Sequence, residues 1–463
     1  MNIRKIRFAV ASLLIASMSV GMLGCSGGNE SSIGKQLESQ VASQVADIAN
    51  SDSRLTGDLG ENKTIKWLAN WDINPDNTGK STPIELELFH DRYNGVIESK
   101  VVAWENRYDA LTNAINGDEG IDFFSASDMD GFPIGAIKEL FVPIDDYIDF
   151  SDPLFADMKD VMDLFQWKGK HYVIVNSVTG DRCVCIYNKD TIAENGLKDP
   201  VQLFEKGEWN WDTFTDMLKQ FVDTENKQYG IDGWWFEAGL SASCGVPYVG
   251  LKDGKLVNNL KDPAVERVQA WMYQLGSQNY VAIGVGEYGW KDHPEYIKDG
   301  KLLFYPTGAW DLYNDSWKEK YGENAMFVPM PKDPKADNYY IQSGIDGYLM
   351  VKGGKNPEGV AKFAACKRVS ITNEKADQIA TEQLYKDYGW REEMVEMLHK
   401  CHDLAKAHPF YDFSTAVSSD VTSLLDSNET GIRGASKGIV QWSEIVASTS
   451  SALDAYLNKY NNG

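Results

Sequence analysis

The chain has 463 residues, which is too long for one ordinary single-core domain and long enough for two compact lobes. Its formal charge of −23 at pH 7 disfavours electrostatic binding to nucleic acid or to an anionic membrane surface. Hydrophobic residues make up 43% of the chain, enough for extensive cores, and the 14 Trp and 22 Tyr residues suit a binding cleft as well as a core.

Residues 1–24 are expected to be a signal peptide. Three basic residues within the first seven positions precede a short apolar run, residues 8–22. The sequence Met22-Leu23-Gly24-Cys25 then resembles a bacterial lipobox. Cleavage before Cys25 and acylation of its sulfur, for instance with palmitate, would tether the protein to the outer face of the cell membrane. The alternative is a transmembrane anchor, for which the apolar run is short.

Residues 25–61 are predicted to be a tether. They are rich in Ser, Gly, Asn and Gln, a composition typical of mobile linkers. Apolar residues recur at helical spacing from Ile33 to Ile48, so a short amphipathic helix is the alternative. We favour a mostly mobile tether.

The first predicted strand covers residues 64–73 and ends at polar and aromatic residues. Asp72, Asn74 and Asp76 imitate the start of an EF-hand loop. The sixth and twelfth positions are Asn and Pro, however, where the loop needs Gly and Glu, so no calcium site is expected.

The next elements predict an open α/β sheet. A short strand is expected over residues 85–89, a helix over 105–116 and a strand over 120–125. The loop 125–130 would then lie at the carboxyl end of that strand, where open α/β sheets bind ligands. Asp128 in this loop is a candidate ligand residue, and a solvated loop carboxylate is the alternative.

The stretch 165–197 predicts a crossover between two sheets. An apolar run, residues 171–175, is interrupted by a small and polar segment, residues 176–181, and a β-rich run follows, residues 183–187. One extended segment passing between two sheets fits this order, although a buried hairpin would give the same periodicity. A segment that leaves one lobe and enters another is a hinge, and ligand sites favour the crevice it spans.

The same stretch resembles the crossover of the family 1 extracellular solute-binding proteins, the maltose-binding-like group. Their GKxYxxP…LxYNKxxxxxxG pattern is matched by Gly169-Lys170, Tyr172, Ile186-Tyr187-Asn188-Lys189 and Gly196. The Pro of the pattern is absent. Residues 208–214 follow, and they match the aromatic helix start of the family. A second family pattern, FxxGKxAMxxxGxW, is matched by Gly300-Lys301, Gly308 and Trp310. The resemblance extends, in chain order, over about residues 62–463.

The resemblance implies an α/β, two-lobed periplasmic-binding-protein-like type II fold, with discontinuous lobes joined by a hinge. Lobe 1 would contain residues 62–178 and 333–385. Lobe 2 would contain residues 181–331 and 386–463, ending in a long C-terminal helix.

It also implies a function. The protein would be the lipid-anchored, extracellular substrate-binding component of an ABC importer. It would bind a carbohydrate, most simply an oligosaccharide, by hinge closure and then dock on the permease subunits in the membrane. A monomer without a cofactor or catalytic activity is expected, and G-x-S-x-G, Walker A and H-E-x-x-H motifs are absent from the sequence. Two alternatives remain open: an extracellular polysaccharide-acting enzyme, and a receptor of the same fold for a peptide or metal.

Several cleft residues are implied by the same resemblance. The end of the first strand points to Trp71 and Asp72. Trp234 and Trp235 are adjacent; on a strand they would face opposite sides, so one would line the cleft and the other the core. Trp310, presented by a Gly-permitted turn, is the strongest candidate, and packing under the loop is its alternative.

The crossovers supply the remaining candidates. Asp181 lies where the chain passes between lobes, and Arg182 beside it either pairs with a carboxylate or, facing the cleft, favours an acidic sugar. Ser343 and Asp346, in the return strand after the second crossover, complete the set.

Cysteine and histidine residues suggest no further site. The cysteines lack the short-loop spacing of a disulfide scaffold, and Cys183 and Cys185 are expected to be small buried side chains. His399 and His402 could share a metal ion, but no carboxylate or thiol stands at a convincing ligand spacing.

Overall fold

The structure is a computed structural model that describes residues 39–74, 80–314, 316–427 and 430–462. The expected signal peptide, the lipobox with Cys25, and Asp76 of the EF-hand-like stretch lie outside the described residues. Within them, two separate mixed sheets carry most of the strands.

The first sheet has five strands. They are β1 (Thr64–Ala69), β2 (Val96–Val101), β3 (Phe123–Ser125), β6 (Val173–Thr179) and β13 (Gly344–Met350), in the order β2-β1-β3-β13-β6. β1 pairs in parallel with β2 and β3, whereas β13 runs antiparallel between β3 and β6. Consequently β1, β2, β3 and β6 all run in one direction, and their carboxyl ends share one edge of the sheet.

The second sheet has four strands. They are β7 (Val184–Asn188), β8 (Tyr229–Ile231), β11 (Leu302–Thr307) and β12 (Ala325–Pro329), in the order β12-β7-β11-β8. β11 is parallel to β8 and antiparallel to β7. Two small hairpins lie outside the sheets: β4 (Gln166–Trp167) with β5 (Lys170–His171), and β9 (Val249–Lys252) with β10 (Lys255–Asn258).

Helices cover both sheets. They are α1 (Ser39–Ser51), α2 (Ile84–Tyr93), α3 (Arg107–Asn116), α4 (Ile134–Ile137), α5 (Lys159–Met162), α6 (Lys189–Glu194), α7 (Pro200–Glu205), α8 (Trp211–Phe221), α9 (Phe236–Ala242), α10 (Pro263–Ser277), α11 (Trp317–Tyr321), α12 (Pro357–Thr372), α13 (Glu374–Tyr388), α14 (Glu392–Ala407), α15 (Ser419–Leu425), α16 (Ile432–Ser436) and α17 (Trp442–Asn461). α3 and α12 pack on the first sheet, and α7, α8 and α9 pack on the second. α14 packs against β6 and β12, so it contacts both sheets.

The start of α8 shows how local sequence fixes an element of the second lobe. The Asn210 side chain accepts the N–H groups of Asp212 and Thr213, and the Thr213 hydroxyl accepts the Asn210 N–H, which makes a capping box. Trp211, Phe214 and Leu218, on one helical face, are buried against the sheet. The aromatic helix start expected after the crossover therefore forms, held by its cap and its apolar face.

The crossover expected between two sheets is confirmed. β6 belongs to the first sheet and β7 to the second, so the two strands do not form a hairpin. Gly180 between them lies against α14, where its N–H donates to the His402 Nδ1 at 2.9 Å. A Cβ atom at position 180 would lie 2.0 Å from the Cys401 carbonyl oxygen, so only glycine allows this approach.

The stretch expected to be mostly tether instead forms a packed helix over residues 39–51. Val45, Ile48 and Ala49 of α1 are buried against α2. The chain after α1 is also bonded to the first lobe, since the Tyr93 hydroxyl donates to the Thr56 carbonyl at 3.0 Å. Tertiary burial of one apolar face thus outweighs the linker-like composition.

We expect Val45→Ala to lower the free energy of unfolding by about 1.5 kcal/mol, because two buried methyl groups are lost. The exposed Gln44 on the same helix is the matched control, and Gln44→Ala should change stability by less than about 0.5 kcal/mol. Urea denaturation of the variants checks this. Equal stabilities of the Val45→Ala and Gln44→Ala proteins would contradict the packed position of α1.

The short strand predicted over residues 85–89 is wrong. The structure has α2 there, followed by β2, which the sequence did not indicate. The alternation of charged and apolar residues is typical of a strand, but Ile84 and Leu88, spaced i,i+4, are buried on one helical face behind Pro83. Since β2 was missed, the loop at its carboxyl end was missed as well.

Candidate functional site

Both sheets turn the carboxyl ends of parallel strands toward the crossover. In the first sheet β6 ends at Thr179, next to Gly180, and β1, β2 and β3 end on the same edge. In the second sheet Thr307, the last residue of β11, pairs with Val184, the first residue of β7. Ligands bind open α/β sheets at such ends. The loops that follow β1, β2, β3, β8 and β11 therefore surround the candidate site.

Exposed tryptophans are concentrated in these loops. Within the described residues, the tryptophans with large exposed surfaces are Trp71, Trp104, Trp234, Trp235, Trp290 and Trp310, between 44% and 74% exposed. Five of them follow β1, β2, β8 or β11. Trp290 lies in the loop after Val281, which pairs in parallel with Ile231 of β8. Exposed indoles at the strand ends of both sheets indicate surfaces that a ligand covers.

Three of these indoles form a cluster on the second lobe. The Trp234 and Trp235 ring centroids are 5.7 Å apart, and each lies 6.4 Å from the Trp310 centroid. Gly233 makes this possible, because a Cβ there would lie 2.1 Å from the Pro306 carbonyl oxygen. The chain after β8 can therefore lie directly against β11, which brings the two loops together.

Trp234 and Trp235 do not divide between core and cleft as a strand would require. They follow β8 in a turn, and Trp235 has the left-handed φ of 61° just before α9 begins. Trp234 is 53% exposed and Trp235 44% exposed, so neither indole is in the core. The opposite-face argument fails here because strand geometry ends before the pair.

Two carboxyl groups support the cluster from below, and the sequence reasoning missed both. Asp292 Oδ2 accepts the Trp234 indole N–H at 3.1 Å and the Tyr305 hydroxyl at 2.8 Å. Asp232, which directly follows β8, accepts the Tyr288 hydroxyl at 2.6 Å. Only the position of Asp232 at a strand end could have indicated it from sequence.

Trp71 and Asp72 lie at the end of β1, as the sequence suggested, and both are exposed. The Trp71 ring packs edge-on against the buried Trp67, with centroids 5.2 Å apart, and its carbonyl accepts the Trp67 indole N–H. The Asp72 carboxylate accepts the Ser99 hydroxyl and the Asn74 backbone N–H. Trp71 is therefore held in place with one face available.

Trp104 was not predicted as a site residue, because it lies in the loop after β2, a strand that the sequence did not indicate. It is 50% exposed, and the Arg107 guanidinium lies 4.0 Å from its ring centroid. Arg107 is itself buried and pairs with Asp130, while Asp128 Oδ2 lies 3.5 Å away. Burial raises the pKa of Asp130, and the Arg107 charge opposes that shift. A charged network thus fixes Trp104 and Asp128 in the first lobe.

The crossover residues bond to both lobes. The Arg182 guanidinium donates to the Ser127 carbonyl and, at 2.7 Å, to the Asp128 carbonyl. The Asp181 carbonyl accepts the Ala309 N–H at 2.8 Å. Burial lowers the pKa of Arg182, and the nearby Asp128 opposes this. Arg182 therefore connects the hinge to the loop after β3, which favours its structural interpretation over recognition of an acidic sugar.

Ser343 and Asp346 are engaged within the protein. Ser343 is 2% exposed, and its hydroxyl accepts the Phe410 N–H at 2.9 Å. Asp346 lies 3.3 Å from the Lys367 ammonium and accepts the Asn176 amide at 3.4 Å. These contacts account for both side chains, and neither is part of the site proposed below.

Cysteines and histidines add no chemistry to the site. Cys183 and Cys185 are free and buried, as expected, and burial raises the pKa of Cys183 to about 12. Over the described ranges, no group of His, Cys, Asp and Glu side chains could hold a metal ion. His402, one half of the possible metal pair, accepts the Gly180 N–H.

A cavity of about 890 Å³ lies elsewhere between the lobes. The β4–β5 hairpin, the β9–β10 hairpin and residues 409–413 contribute to its lining. None of the six exposed tryptophans lines it. The edge with the indoles remains the better candidate site, because it combines strand ends, exposed aromatic faces and the crossover.

Comparison with known families gives a match over most of the chain. The family described as bacterial extracellular solute-binding protein matches residues 94–374. The sequence has no significant match among curated proteins.

Solved structures match the fold at low sequence identity. The GacH receptor of Streptomyces glaucescens, described unliganded and in complex with acarbose, has a TM-score of 0.59 at 16% identity, covering 86% of this chain and 99% of that chain. The galacto-N-biose-/lacto-N-biose I-binding protein of an ABC transporter from Bifidobacterium longum has a TM-score of 0.60 at 14% identity, with 85% and 97% covered. An ABC transporter associated binding protein from B. animalis subsp. lactis Bl-04, in complex with beta-1,6-galactobiose, scores 0.57 at 16% identity, with 86% and 98% covered. The two-lobed α/β fold predicted from sequence is confirmed.

Proposed function

Because this chain belongs to the bacterial extracellular solute-binding proteins, we propose that it is the substrate-binding component of an ABC importer and that its ligand is a carbohydrate. The ligand would be an oligosaccharide, held between the two sheets at the crossover. The observation that carries this proposal is the row of half-exposed indoles at the strand ends of both lobes. The structural neighbours described with acarbose and with beta-1,6-galactobiose support it.

Indole faces match the chemistry of sugar rings. A pyranose presents apolar C–H groups on its faces and hydroxyl groups around its rim. Trp234, Trp235 and Trp310 offer flat apolar surface on the second lobe, and Trp71 offers it on the first. Asp128, about a third exposed, could accept sugar hydroxyls near the crossover, as could the exposed carboxylate of Asp72.

Hinge closure follows from the way the lobes are joined. The sheets are connected through Gly180–Cys183 and through a second crossover between β12 and β13. A ligand that contacts indoles on both lobes binds the closed form more tightly than the open form. It therefore shifts the population toward closure. The closed form would be the one that docks on the permease.

The anchoring part of the proposal rests on the sequence of the targeting segment. Acylated Cys25 would hold the protein, as a monomer, on the outer face of the cell membrane. In the part of the chain that the structure describes, no helix is both long enough and apolar enough to span a bilayer.

The rival enzymatic function has little support at this site. Glycoside hydrolysis needs two carboxyl groups that flank the glycosidic bond. The carboxyl groups beneath the indoles, Asp232 and Asp292, are bonded to Tyr288, Tyr305 and Trp234, and Asp232 is only 6% exposed. We therefore propose a receptor without catalytic activity. Prolonged incubation with an oligosaccharide tests this: recovery of shortened products would favour the enzyme.

We expect a saccharide to raise the melting temperature and to change tryptophan fluorescence in a saturable way. The physical reason is that a ligand which binds only the native state stabilises it. The measurement is a thermal-shift and fluorescence screen against mono- and oligosaccharides, uronates, peptides and divalent metals. A response to a peptide or metal, with silence across all sugars, would overturn the carbohydrate ligand while keeping the fold.

A further inference from the structure

Beneath the indole cluster, Asp232 and Asp292 face each other. Asp232 is buried at the end of β8, and it lies within hydrogen-bonding reach of Asp292. Asp292 Oδ2 accepts the Trp234 indole N–H and the Tyr305 hydroxyl. Its other oxygen, Oδ1, is buried and accepts no N–H or O–H of the described residues when both acids are ionised. A proton on Asp232 would supply a donor for this oxygen.

The electrostatics of Asp232 agree with that geometry. Burial raises the pKa of Asp232 to about 7, and the charge of Asp292 acts in the same direction. The hydrogen bond from Tyr288 opposes the shift. Two carboxylates this close cannot both be ionised cheaply, so a proton on Asp232 is favoured below about pH 7.

The neighbouring charged groups do not supply an alternative donor at Asp292 Oδ1. The titratable groups that face the pair from the surrounding elements are Tyr288, Tyr305, Tyr321, Asp311, Lys437 and His293. The hydroxyls of Tyr288 and Tyr305 already donate to Asp232 and to Asp292 Oδ2. His293 pairs with Glu295. Burial raises the pKa of both tyrosines beyond the physiological range, so they remain neutral donors.

We infer that Asp232 and Asp292 share one proton, and that this proton fixes Asp292 as the acceptor that positions the Trp234 indole toward the ligand. When the proton leaves to solvent, two adjacent carboxylates repel each other. Asp292 then shifts toward water, and its bond to the Trp234 N–H weakens. Asp292 is thus a positioning residue, and Asp232 acts through it. The effect on ligand affinity rests on the proposed function, but the shared proton does not.

The sign of the pH dependence follows from the raised pKa. The folded protein binds a proton on Asp232 that the unfolded chain, with an Asp pKa of about 3.9, has already lost above pH 4. Stability from this group therefore falls as the pH rises from about 4 to about 7. The position of Trp234, and with it the ligand affinity, should change around pH 7, where Asp232 of the folded protein loses its proton.

The decisive experiment observes the indole N–H signals of the ligand-free protein by ¹⁵N NMR between pH 5.5 and 8.5. Trp234→Phe identifies the Trp234 signal, and the buried Trp67 N–H, bonded to a backbone carbonyl, serves as an internal reference. We expect the Trp234 signal to titrate with a midpoint near pH 7. A Trp234 signal that stays constant across this range would overturn the inference.

Asp232→Asn separates the shared proton from other causes. Its amide can accept the Tyr288 hydroxyl and donate an N–H to Asp292 at every pH, so the titration of the Trp234 signal should disappear. Asp292→Asn also removes the acid pair and should abolish the titration, which guards against one variant failing to fold. Persistence of the midpoint in either folded variant would contradict the shared proton.

Ligand affinity provides the second readout. For a saccharide found in the screen, wild-type affinity should fall at least about threefold between pH 6 and pH 8. The Asp232→Asn protein should lose this slope. A parallel slope in wild type and variant would overturn the link from the carboxyl pair to the ligand. If no saccharide binds, the carbohydrate proposal fails, and the NMR titration still decides whether the proton is shared.

Discussion

Trp310→Ala is expected to weaken saccharide binding by at least about 2 kcal/mol, roughly a thirtyfold rise in Kd. Trp310 is 50% exposed, and its ring centroid lies 6.4 Å from the centroids of both Trp234 and Trp235 in the second lobe's indole cluster. Truncation removes one of the three indole faces of the cluster and leaves the other two indoles without this neighbour. Isothermal titration with a saccharide found in the screen measures the change.

Two further variants make the Trp310 result specific. Trp310→Phe retains a flat aromatic face and should lose less than half of the binding free energy that Trp310→Ala loses. Tyr385 on α13 is 37% exposed and lies outside the strand-end loops, so Tyr385→Ala should leave the affinity within about twofold. If Trp310→Ala binds like the wild type, with an intact fold by circular dichroism, Trp310 is not a ligand residue.

The second large effect is expected at the hinge. Gly180→Ala should lower the free energy of unfolding by about 3 kcal/mol, the upper part of the range for overpacking. The new Cβ would lie 2.0 Å from the Cys401 carbonyl oxygen, which belongs to the backbone of α14 and cannot rotate away. Relief requires that the crossover and α14 move apart, at the cost of the bond between the Gly180 N–H and His402.

Gly169→Ala is the matched control for Gly180→Ala. Gly169 lies on the same segment with a φ of 74°, and a Cβ there meets nothing within 4 Å. Its substitution costs only left-handed backbone strain, about 1 kcal/mol. Urea denaturation of both variants separates close approach from loss of glycine in general. Equal destabilisation of the two proteins would show that the contact between Gly180 and α14 does not carry the effect.

Structural features that depend on a short stretch of contiguous residues could be predicted from the sequence. The polar break between two β-rich runs indicated either a crossover or a buried hairpin, and the family resemblance favoured the crossover. The turn before Trp310 was indicated by Gly308, which precedes an indole at a strand end. Each of these signals lies within one short window. The helix-start motif at residues 208–214 belongs to the same class, since its cap and its apolar face are local.

Features that depend on tertiary contacts could not be predicted. Residues 85–89 alternate like a strand, and only the burial of Ile84 and Leu88 on one face shows that they are helical. The composition of α1 resembles a linker until α2 covers its apolar side. Asp292 is 58 residues from Trp234 and carries no local motif, so its bond to the indole becomes visible only in three dimensions.

The attachment of α1 to α2 has a mechanical consequence. Any chain that precedes residue 39 is joined to the lobe of the first sheet, not to the lobe that carries the three clustered indoles. If the protein is held at a surface through its N-terminal side, the first lobe stays fixed relative to that surface, and the second lobe moves when the cleft closes. A permease would then contact the first lobe in the same position with or without ligand. It would distinguish the ligand-bound protein by its contact with the second lobe, which reaches its closed position only when ligand is bound.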